Sequence, residues 1–182
     1  MWKVYTKTGD KGYTSTASHE RIPKNSYLIN LQGGVDEINS HVGYLRSLIC
    51  EDPYLLNVDN ELREIQKNLF YLGSEISYKF SKPSIKSQMI NDLEEAIDFY
   101  QSKCPPLNSF VYCSGHKTST YSQIIRSIIR RAERDFLSAL EEQSVNELPD
   151  SYVYVNRLSD YFFSLSRYLN HYHNVEEEPM VF

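Results

Sequence analysis

Four arginines lie within nine residues of the stretch 126-RSIIRRAER-134, in a chain whose formal net charge is −5. Three of them, Arg126, Arg130 and Arg134, recur every fourth residue, and a helix would place them on one side with Glu133 among them. Positive charges at this spacing repel one another, whereas guanidinium groups bind phosphate oxygens two at a time. The spacing therefore favours a binding site for a phosphate chain, and the alternative is an ordinary solvated helix face.

The N-terminal stretch 6-TKTGDKGYTST-16 has the composition of an anion-binding loop. Its two glycines permit backbone conformations in which N–H groups converge, and Lys7, Lys11 and Lys24 add positive charge. It matches neither GxxxxGK[ST] nor GxGxxG. Alone, such a stretch is typical of an ordinary turn. Together with the arginines, it predicts that a nucleotide triphosphate binds outside the familiar nucleotide folds.

From residue 28 onward, apolar residues recur at alternating steps of three and four, which is the pattern of amphipathic helices. The pattern predicts four long helices and one short helix, the third, which ends before 105-PP-106. Pro83 follows the second helix, and Asp150 or Ser151 is the predicted N-cap of the fifth. The apolar positions that define the five helices are Leu28, Leu31, Val35, Ile38, Val42, Leu45, Ile49; Val58, Leu62, Ile65, Leu69, Leu72, Ile76; Met89, Ile90, Leu93, Ile97; Tyr121, Ile125, Ile128, Ala132, Phe136, Ala139; and Val155, Leu158, Phe162, Leu165, Leu169, Tyr172.

These helices predict an all-α fold, a five-helix up-and-down bundle in a single domain over residues 1–182. Residues 1–25 form an ordered loop that lies on the bundle, and residues 26–175 form the bundle itself. No stretch shows the alternation expected of a strand. The arginines of the fourth helix lie opposite its apolar side. Other positions predicted to face away from the apolar seams are Asp36 and Ser40 in the first helix and Asn156, Asp160, Phe163 and Arg167 in the fifth.

Composition excludes several classes of protein. A pI near 5.5 argues against a protein that coats nucleic acid or an anionic membrane. The three cysteines lack CxxC spacing, which fits reduced thiols, and no apolar run is long enough for a membrane span or a signal peptide. We therefore expect a cytoplasmic protein. His171 and His173 lie on different faces of a helix, so we expect no metal site there.

Five short motifs, in order along the chain, resemble the propanediol-utilisation type of ATP:cob(I)alamin adenosyltransferase. They are 5-YTKTGDKG-12, Lys24, 33-GGVDEINS-40, 130-RRAER-134 and 156-NRLSDYFF-163. The resemblance implies a homotrimer of five-helix bundles in a ferritin-like arrangement, with active sites between neighbouring subunits. It also implies transfer of the 5′-deoxyadenosyl group of ATP to the cobalt of cob(I)alamin, with inorganic triphosphate as the leaving group.

The resemblance also implies roles for individual residues. Arg126 would pair with Asp36 of the partner subunit, and Arg130 would stabilise the leaving triphosphate. Phe110 would lie under the corrin ring, where it excludes the axial ligand that stabilises Co(II). The corrinoid-binding loop would consist of Phe110, Val111, Tyr112 and Cys113. The ATP-binding residues would be Thr6, Lys7, Thr8, Gly9, Thr14, Ser15, Lys24, Arg130, Arg131, Ala132, Glu133, Arg134 and Asn156.

Cofactors and partners follow from the same resemblance. ATP is the co-substrate, cobalamin is the substrate, and Mg²⁺ bridges the triphosphate. A potassium ion assists some members of the family, and its need here stays open. A flavoprotein reductase or an adenosylcobalamin-dependent enzyme is the implied protein partner, with no role for nucleic acid or a membrane.

The loop 110-FVYCSGH-116 departs from the family, which commonly has a pattern such as FxLPGG after the phenylalanine. Cys113 replaces the proline and His116 replaces a glycine. The turn 17-ASHER-21 also lacks the usual glycines. An alternative function is therefore a non-catalytic ATP-binding protein that carries a corrinoid or responds to nucleotide. A purely structural helical trimer is a third reading, which the arginine and loop motifs disfavour.

Overall fold

Five α-helices and a small β-hairpin form the computed structural model, which describes residues 3–181. The helices are α1 (Tyr27–Ile49), α2 (Leu56–Ser77), α3 (Ser87–Lys103), α4 (Lys117–Glu142) and α5 (Asp150–Tyr172), with a 3-10 turn at Pro53–Leu55. The predicted all-α class and the number and order of the helices are confirmed. Among residues 3–181, no helix is both long and apolar enough to cross a membrane.

The apolar side of each helix is buried in one continuous core. Helix α1 packs between α2 and α4, and α5 packs between α4 and α3. Nearly all of the predicted apolar positions are buried, and the exceptions are Met89, Tyr121 and Tyr172, which are partly buried at the edge of the core. A Cβ atom on Gly34 would lie 3.4 Å from the Cβ of Ala132, so small residues allow α1 and α4 to approach closely.

Two sets of hydrogen bonds show which helix ends lie together. Glu142, the last residue of α4, accepts hydrogen bonds from the backbone N–H groups of Tyr27 at 3.2 Å and Leu28 at 3.0 Å, at the start of α1. At the end of α5, the hydroxyl of Tyr172 donates to Asp52, in the α1–α2 connection, at 2.8 Å. One end of the bundle therefore carries the start of α1 and the end of α4. The opposite end carries the α1–α2 connection and the end of α5.

Two local predictions are wrong. Part of the predicted loop is a hairpin of β1 (Tyr13–Ser15) and β2 (Arg21–Pro23), which pair antiparallel with Thr14 opposite Ile22. Strands of three residues are too short to produce a visible alternation. Helix α5 begins at Asp150 with Pro149 at its N-cap. The hydroxyl of Ser151 donates to the buried carboxylate of Glu75 at 2.5 Å and does not cap the helix.

Candidate functional site

The exposed side of α4 carries a row of arginines. Some of their side chains already have hydrogen-bond or ion-pair partners within the part of the chain that the structure describes, and others do not. Arg131 forms an ion pair with Glu37 of α1, and Arg134 donates to the backbone carbonyl of Arg130 at 2.7 Å. The guanidinium of Arg130 is exposed and makes no side-chain hydrogen bond or ion pair within residues 3–181. Arg130 therefore has its full set of donors available to an anion.

Glu133 and Asn156 connect this row to α5. The amide nitrogen of Asn156 donates to the Glu133 carboxylate at 2.8 Å, and both residues are partly buried. Ala132, which the sequence assigns to ATP, is 1% exposed and packs against Gly34. Its methyl group is thus part of the core, and its assignment to ATP stays a prediction.

The N-terminal segment brings hydroxyls, backbone groups and one lysine together. The hydroxyls of Thr6 and Thr8 lie 2.8 Å apart, and Arg21 of β2 donates to the carbonyl of Thr8 at 2.8 Å. A Cβ atom on Gly9 would lie 2.9 Å from the Nζ atom of Lys24, so the ammonium group lies close to the glycine backbone. The hairpin therefore positions a positive charge over the glycine turn.

Two cavities adjoin the hairpin and α1. A cavity of about 400 Å³ is lined by Thr14, Ser15 and Lys24 together with residues of α1 and α2. A second cavity, of about 630 Å³, lies between α1 and α2 and includes Asp36. A larger cavity of about 780 Å³ between α2 and α3 contains none of the predicted site residues. Three of the predicted nucleotide residues therefore line one of the smaller clefts, and Asp36 lines the other.

Arg126 and Asp36 are not joined within one chain. The Nε atom of Arg126 donates to the side-chain oxygen of Gln123 at 2.6 Å, and Gln123 in turn donates to Ser166 of α5 at 2.7 Å. Asp36 is exposed on α1, and within residues 3–181 its carboxylate belongs to no ion pair. Gln123 holds one edge of the guanidinium and leaves its terminal nitrogens for another acceptor.

The segment that precedes α4 presents Phe110, whose residue surface is 74% exposed. The backbone N–H of Tyr112 donates to the carbonyl of Glu178 at 2.9 Å, and the N–H of Met180 donates to the carbonyl of Phe110 at 2.8 Å. Val111 and Pro179 form an isolated β-bridge. The C-terminal residues 178–180 therefore pair with the predicted corrinoid loop, which the sequence did not indicate.

Arg167 requires a correction. It was predicted on an outward polar stripe, yet it is 7% exposed. Its Nε and one terminal nitrogen bind both carboxylate oxygens of Glu177 at 2.8 and 2.7 Å, and the same terminal nitrogen donates to the carbonyl of Pro105. This ion pair anchors the C-terminal segment beside the connection between α3 and α4.

His116 and His173 form a stacked pair, with ring centroids 3.6 Å apart. His116 is the N-cap of α4, and its Nδ1 accepts a hydrogen bond from the backbone N–H of Thr118. Burial lowers the pKa of His116 most, and His173 and Lys117 lower it further. Burial also lowers the pKa of His173, Asp52 opposes this effect, and Lys117 adds to it. The neutral forms are therefore favoured in the fold.

Because of the His116–His173 pair, we expect the folded state to lose stability as the pH falls. Because the folded pKa values lie below the ordinary value of 6.5, the unfolded chain binds more protons as the pH falls. The contribution is complete above about pH 7 and is lost as the pH falls through 6.5 toward the folded values. Between these limits we expect the thermal midpoint to fall about 1–3 °C further in the wild type than in His116→Asn, which retains a capping side chain.

A matched control for this measurement is His171→Asn, because His171 is exposed on the same helix. Its thermal midpoint should follow the pH as the wild type does. Identical pH profiles for His116→Asn and the wild type would show that the stacked pair does not couple protonation to stability.

Comparison with known proteins agrees with this geometry. Residues 4–169 match the family described as cobalamin adenosyltransferase. Corrinoid adenosyltransferase MMAB of Homo sapiens is 36% identical over 176 residues, covering 91% of this chain and 68% of that protein. Corrinoid adenosyltransferase of Bacillus subtilis is 34% identical over 170 residues, covering 92% of this chain and 86% of that protein.

A solved structure shows the same backbone arrangement. It is a variant of the PduO-type ATP:corrinoid adenosyltransferase from Lactobacillus reuteri, complexed with cobalamin and ATP. Its TM-score to this chain is 0.90 at 34% sequence identity, with 98% of this chain and 99% of that chain covered. Sequence and backbone therefore agree over almost the whole length, and the chain belongs to the cobalamin adenosyltransferase family.

Proposed function

We propose that this protein transfers the 5′-deoxyadenosyl group of ATP to the cobalt of cob(I)alamin and releases inorganic triphosphate. The observation that carries the proposal is the course of α4. The loop with Phe110 precedes its first residue, and its last residue, Glu142, contacts the start of α1 just after the hairpin. The arginine row lies between these two ends, so its positive charge lies between the proposed corrinoid loop and the proposed nucleotide segment.

The reaction requires charge stabilisation rather than a protein base. Cob(I)alamin is itself the nucleophile, and its cobalt donates an electron pair to C5′ of ATP. The Co–C bond forms as the C5′–O bond breaks, and the electron pair of that bond leaves on the triphosphate. Arg130, whose guanidinium is available to an anion, and Lys24, beside Gly9, supply positive charge for that leaving group.

Mg²⁺ would bind together with ATP rather than at a site formed by protein side chains alone. Within residues 3–181, no group of three or more His, Cys, Asp or Glu side chains is placed to hold a metal ion. This fits an ion held mainly by phosphate oxygens and water. When bound, Mg²⁺ neutralises charge on the triphosphate. The need for K⁺ is tested by exchanging it for Na⁺ in the activity assay.

The direct test mixes the protein with MgATP and chemically reduced cobalamin, and follows the absorption spectrum for adenosylcobalamin. Formation of the product with release of triphosphate supports the enzyme. Binding of both substrates without product supports the alternative, a corrinoid carrier or nucleotide-responsive protein, which the altered residues Cys113 and His116 motivate. His116 caps α4, so the residue that replaces the glycine of the family stabilises the start of that helix.

We also infer that the protein is a homotrimer in the cytoplasm in which Arg126 pairs with Asp36 of the partner subunit. Both side chains are accessible, and Gln123 leaves the outer nitrogens of Arg126 open. A flavoprotein reductase or an adenosylcobalamin-dependent enzyme remains the proposed protein partner. The trimer shares each site between chains, so assembly and turnover should be linked.

Asp36→Ala should therefore weaken both assembly and turnover. Arg126 would lose its acceptor and stay partly desolvated, at a cost of roughly 1–3 kcal/mol. Light scattering over a dilution series measures assembly, and the adenosylation assay measures turnover. Asp98→Ala, which removes an exposed carboxylate of α3, is the matched control. A stable monomer with full activity would defeat the proposal.

A further inference from the structure

Asn170, in the last turn of α5, forms hydrogen bonds to the loop before α4 through both the oxygen and the nitrogen of its side-chain amide. It is 5% exposed. Its Oδ1 atom accepts a hydrogen bond from the backbone N–H of His116 at 2.9 Å, and its Nδ2 atom donates to the backbone carbonyl of Ser114 at 3.0 Å. The two bonds have opposite sense, so they fix the orientation of the peptide groups on both sides of Gly115.

Gly115 is the residue enclosed by this pair of bonds. Its φ angle is +115°, which side-chain-bearing residues rarely adopt. A Cβ atom at this position would lie 2.3 Å from the Oδ1 atom of Asn170. Because Gly115 has no side chain, the loop backbone can pack directly against α5. Asn170 and Gly115 are therefore in close contact.

The far end of the loop is held by exposed backbone hydrogen bonds. Residues 110–112 are held by backbone hydrogen bonds to residues 178–180, in a largely exposed segment. Exposed backbone pairing of this kind opens more readily than buried contacts. The buried Asn170 contact thus holds the end of the loop that joins α4, five residues after Phe110, and the His116–His173 pair and the Arg167–Glu177 ion pair lie nearby.

We propose that Asn170 is a positioning residue that sets the placement of the Phe110 loop against the corrinoid. Asn170 does not touch the reacting atoms; it acts through the backbone of residues 114–116. This inference rests on the proposed function, because it assigns Phe110 to the lower face of the corrin. It predicts that loss of the amide disturbs corrinoid handling while ATP binding, assigned to the hairpin and residues 130–134, stays intact.

Two substitutions of Asn170 separate anchoring from folding. Asn170→Ala removes both hydrogen bonds, whereas Asn170→Asp keeps an acceptor for the His116 N–H and cannot donate to Ser114. We expect the KM for the corrinoid to rise about tenfold in the first variant and less in the second, because each lost bond releases one side of Gly115. The Kd for ATP should stay within about twofold of the wild-type value. His171→Ala, exposed on the same helix, should change neither constant.

A double mutant tests the contact itself. Gly115→Ala alone should strongly impair corrinoid use, since its methyl group clashes with Asn170. In the Asn170→Ala background that clash is gone, so the further loss from Gly115→Ala should be smaller, with only the backbone strain remaining. Strictly additive losses in the double mutant would overturn the proposal.

Amide hydrogen exchange gives a readout that does not depend on activity. The N–H of His116 should exchange faster in Asn170→Ala, and the thermal midpoint should still report a folded protein. An unchanged KM for the corrinoid despite faster exchange would overturn the positioning role. Failure of the wild type to form adenosylcobalamin would instead reject the proposed function, whatever the exchange data show.

Discussion

Arg130→Lys is expected to lower the rate of adenosyl transfer about 100-fold, the scale for loss of one preorganised donor. Arg130 differs from its neighbours because Arg131 is paired with Glu37 and Arg134 is bonded to a backbone carbonyl. Its guanidinium alone in this row is uncommitted within residues 3–181. Lysine keeps the charge but cannot present two parallel donors to phosphate oxygens.

The measurement is kcat with saturating MgATP and chemically reduced cobalamin, together with the Kd for ATP. We expect the larger loss in kcat, because the charge on the triphosphate grows in the transition state. Arg63→Lys, at an exposed arginine of α2, should leave both constants unchanged. If Arg130→Lys behaves like Arg63→Lys, the arginine row is only a solvated helix face.

The helices were predictable because apolar residues recur every three or four positions within each of them. Every predicted position of the first helix, from Leu28 to Ile49, is buried, since a step of three or four residues keeps one side toward the core. The same periodicity identified the side of α4 that carries Arg126 and Arg130. These features depend only on residues within one helix, so a single sequence contains enough information to find them.

Contacts between distant segments were not predictable in this way. The position of Arg167 in the sequence suggested an outward stripe, but Arg167 is buried and its partner Glu177 lies in the C-terminal segment beyond α5. Asn170 contacts Ser114 and His116 across the bundle, and nothing in its local pattern distinguishes it from a surface asparagine. The glycine at position 115 was a local signal, because residues with a side chain rarely adopt its φ of +115°.

Phe110→Ala is expected to lower the rate about 100-fold when cobalt must be reduced on the protein, which corresponds to about 2.7 kcal/mol at 1.36 kcal/mol per tenfold. An axial ligand stabilises Co(II), and an exposed aromatic side chain under the corrin would exclude it. Without Phe110, water or the base of the cobalamin could occupy that position. The Kd for ATP should change little, because the nucleotide residues lie on the hairpin and residues 130–134.

Two assays distinguish this role from support of the loop. With cobalt supplied as Co(I), which holds no lower ligand, Phe110→Ala should recover much of its rate; with Co(II) and a reductant, it should not. Leu107→Ala, at another exposed apolar residue of the same connection, should retain its rate in both assays. Equal losses of Phe110→Ala in both assays would show that the ring only supports the loop, and the ligand-excluding role would then pass to Val111 or Tyr112. Because Asn170 acts by placing Phe110, its variants should also lose more rate with Co(II) and a reductant than with Co(I), although the difference should be smaller. This result would show that the Asn170 contact affects the reduction of the cobalt.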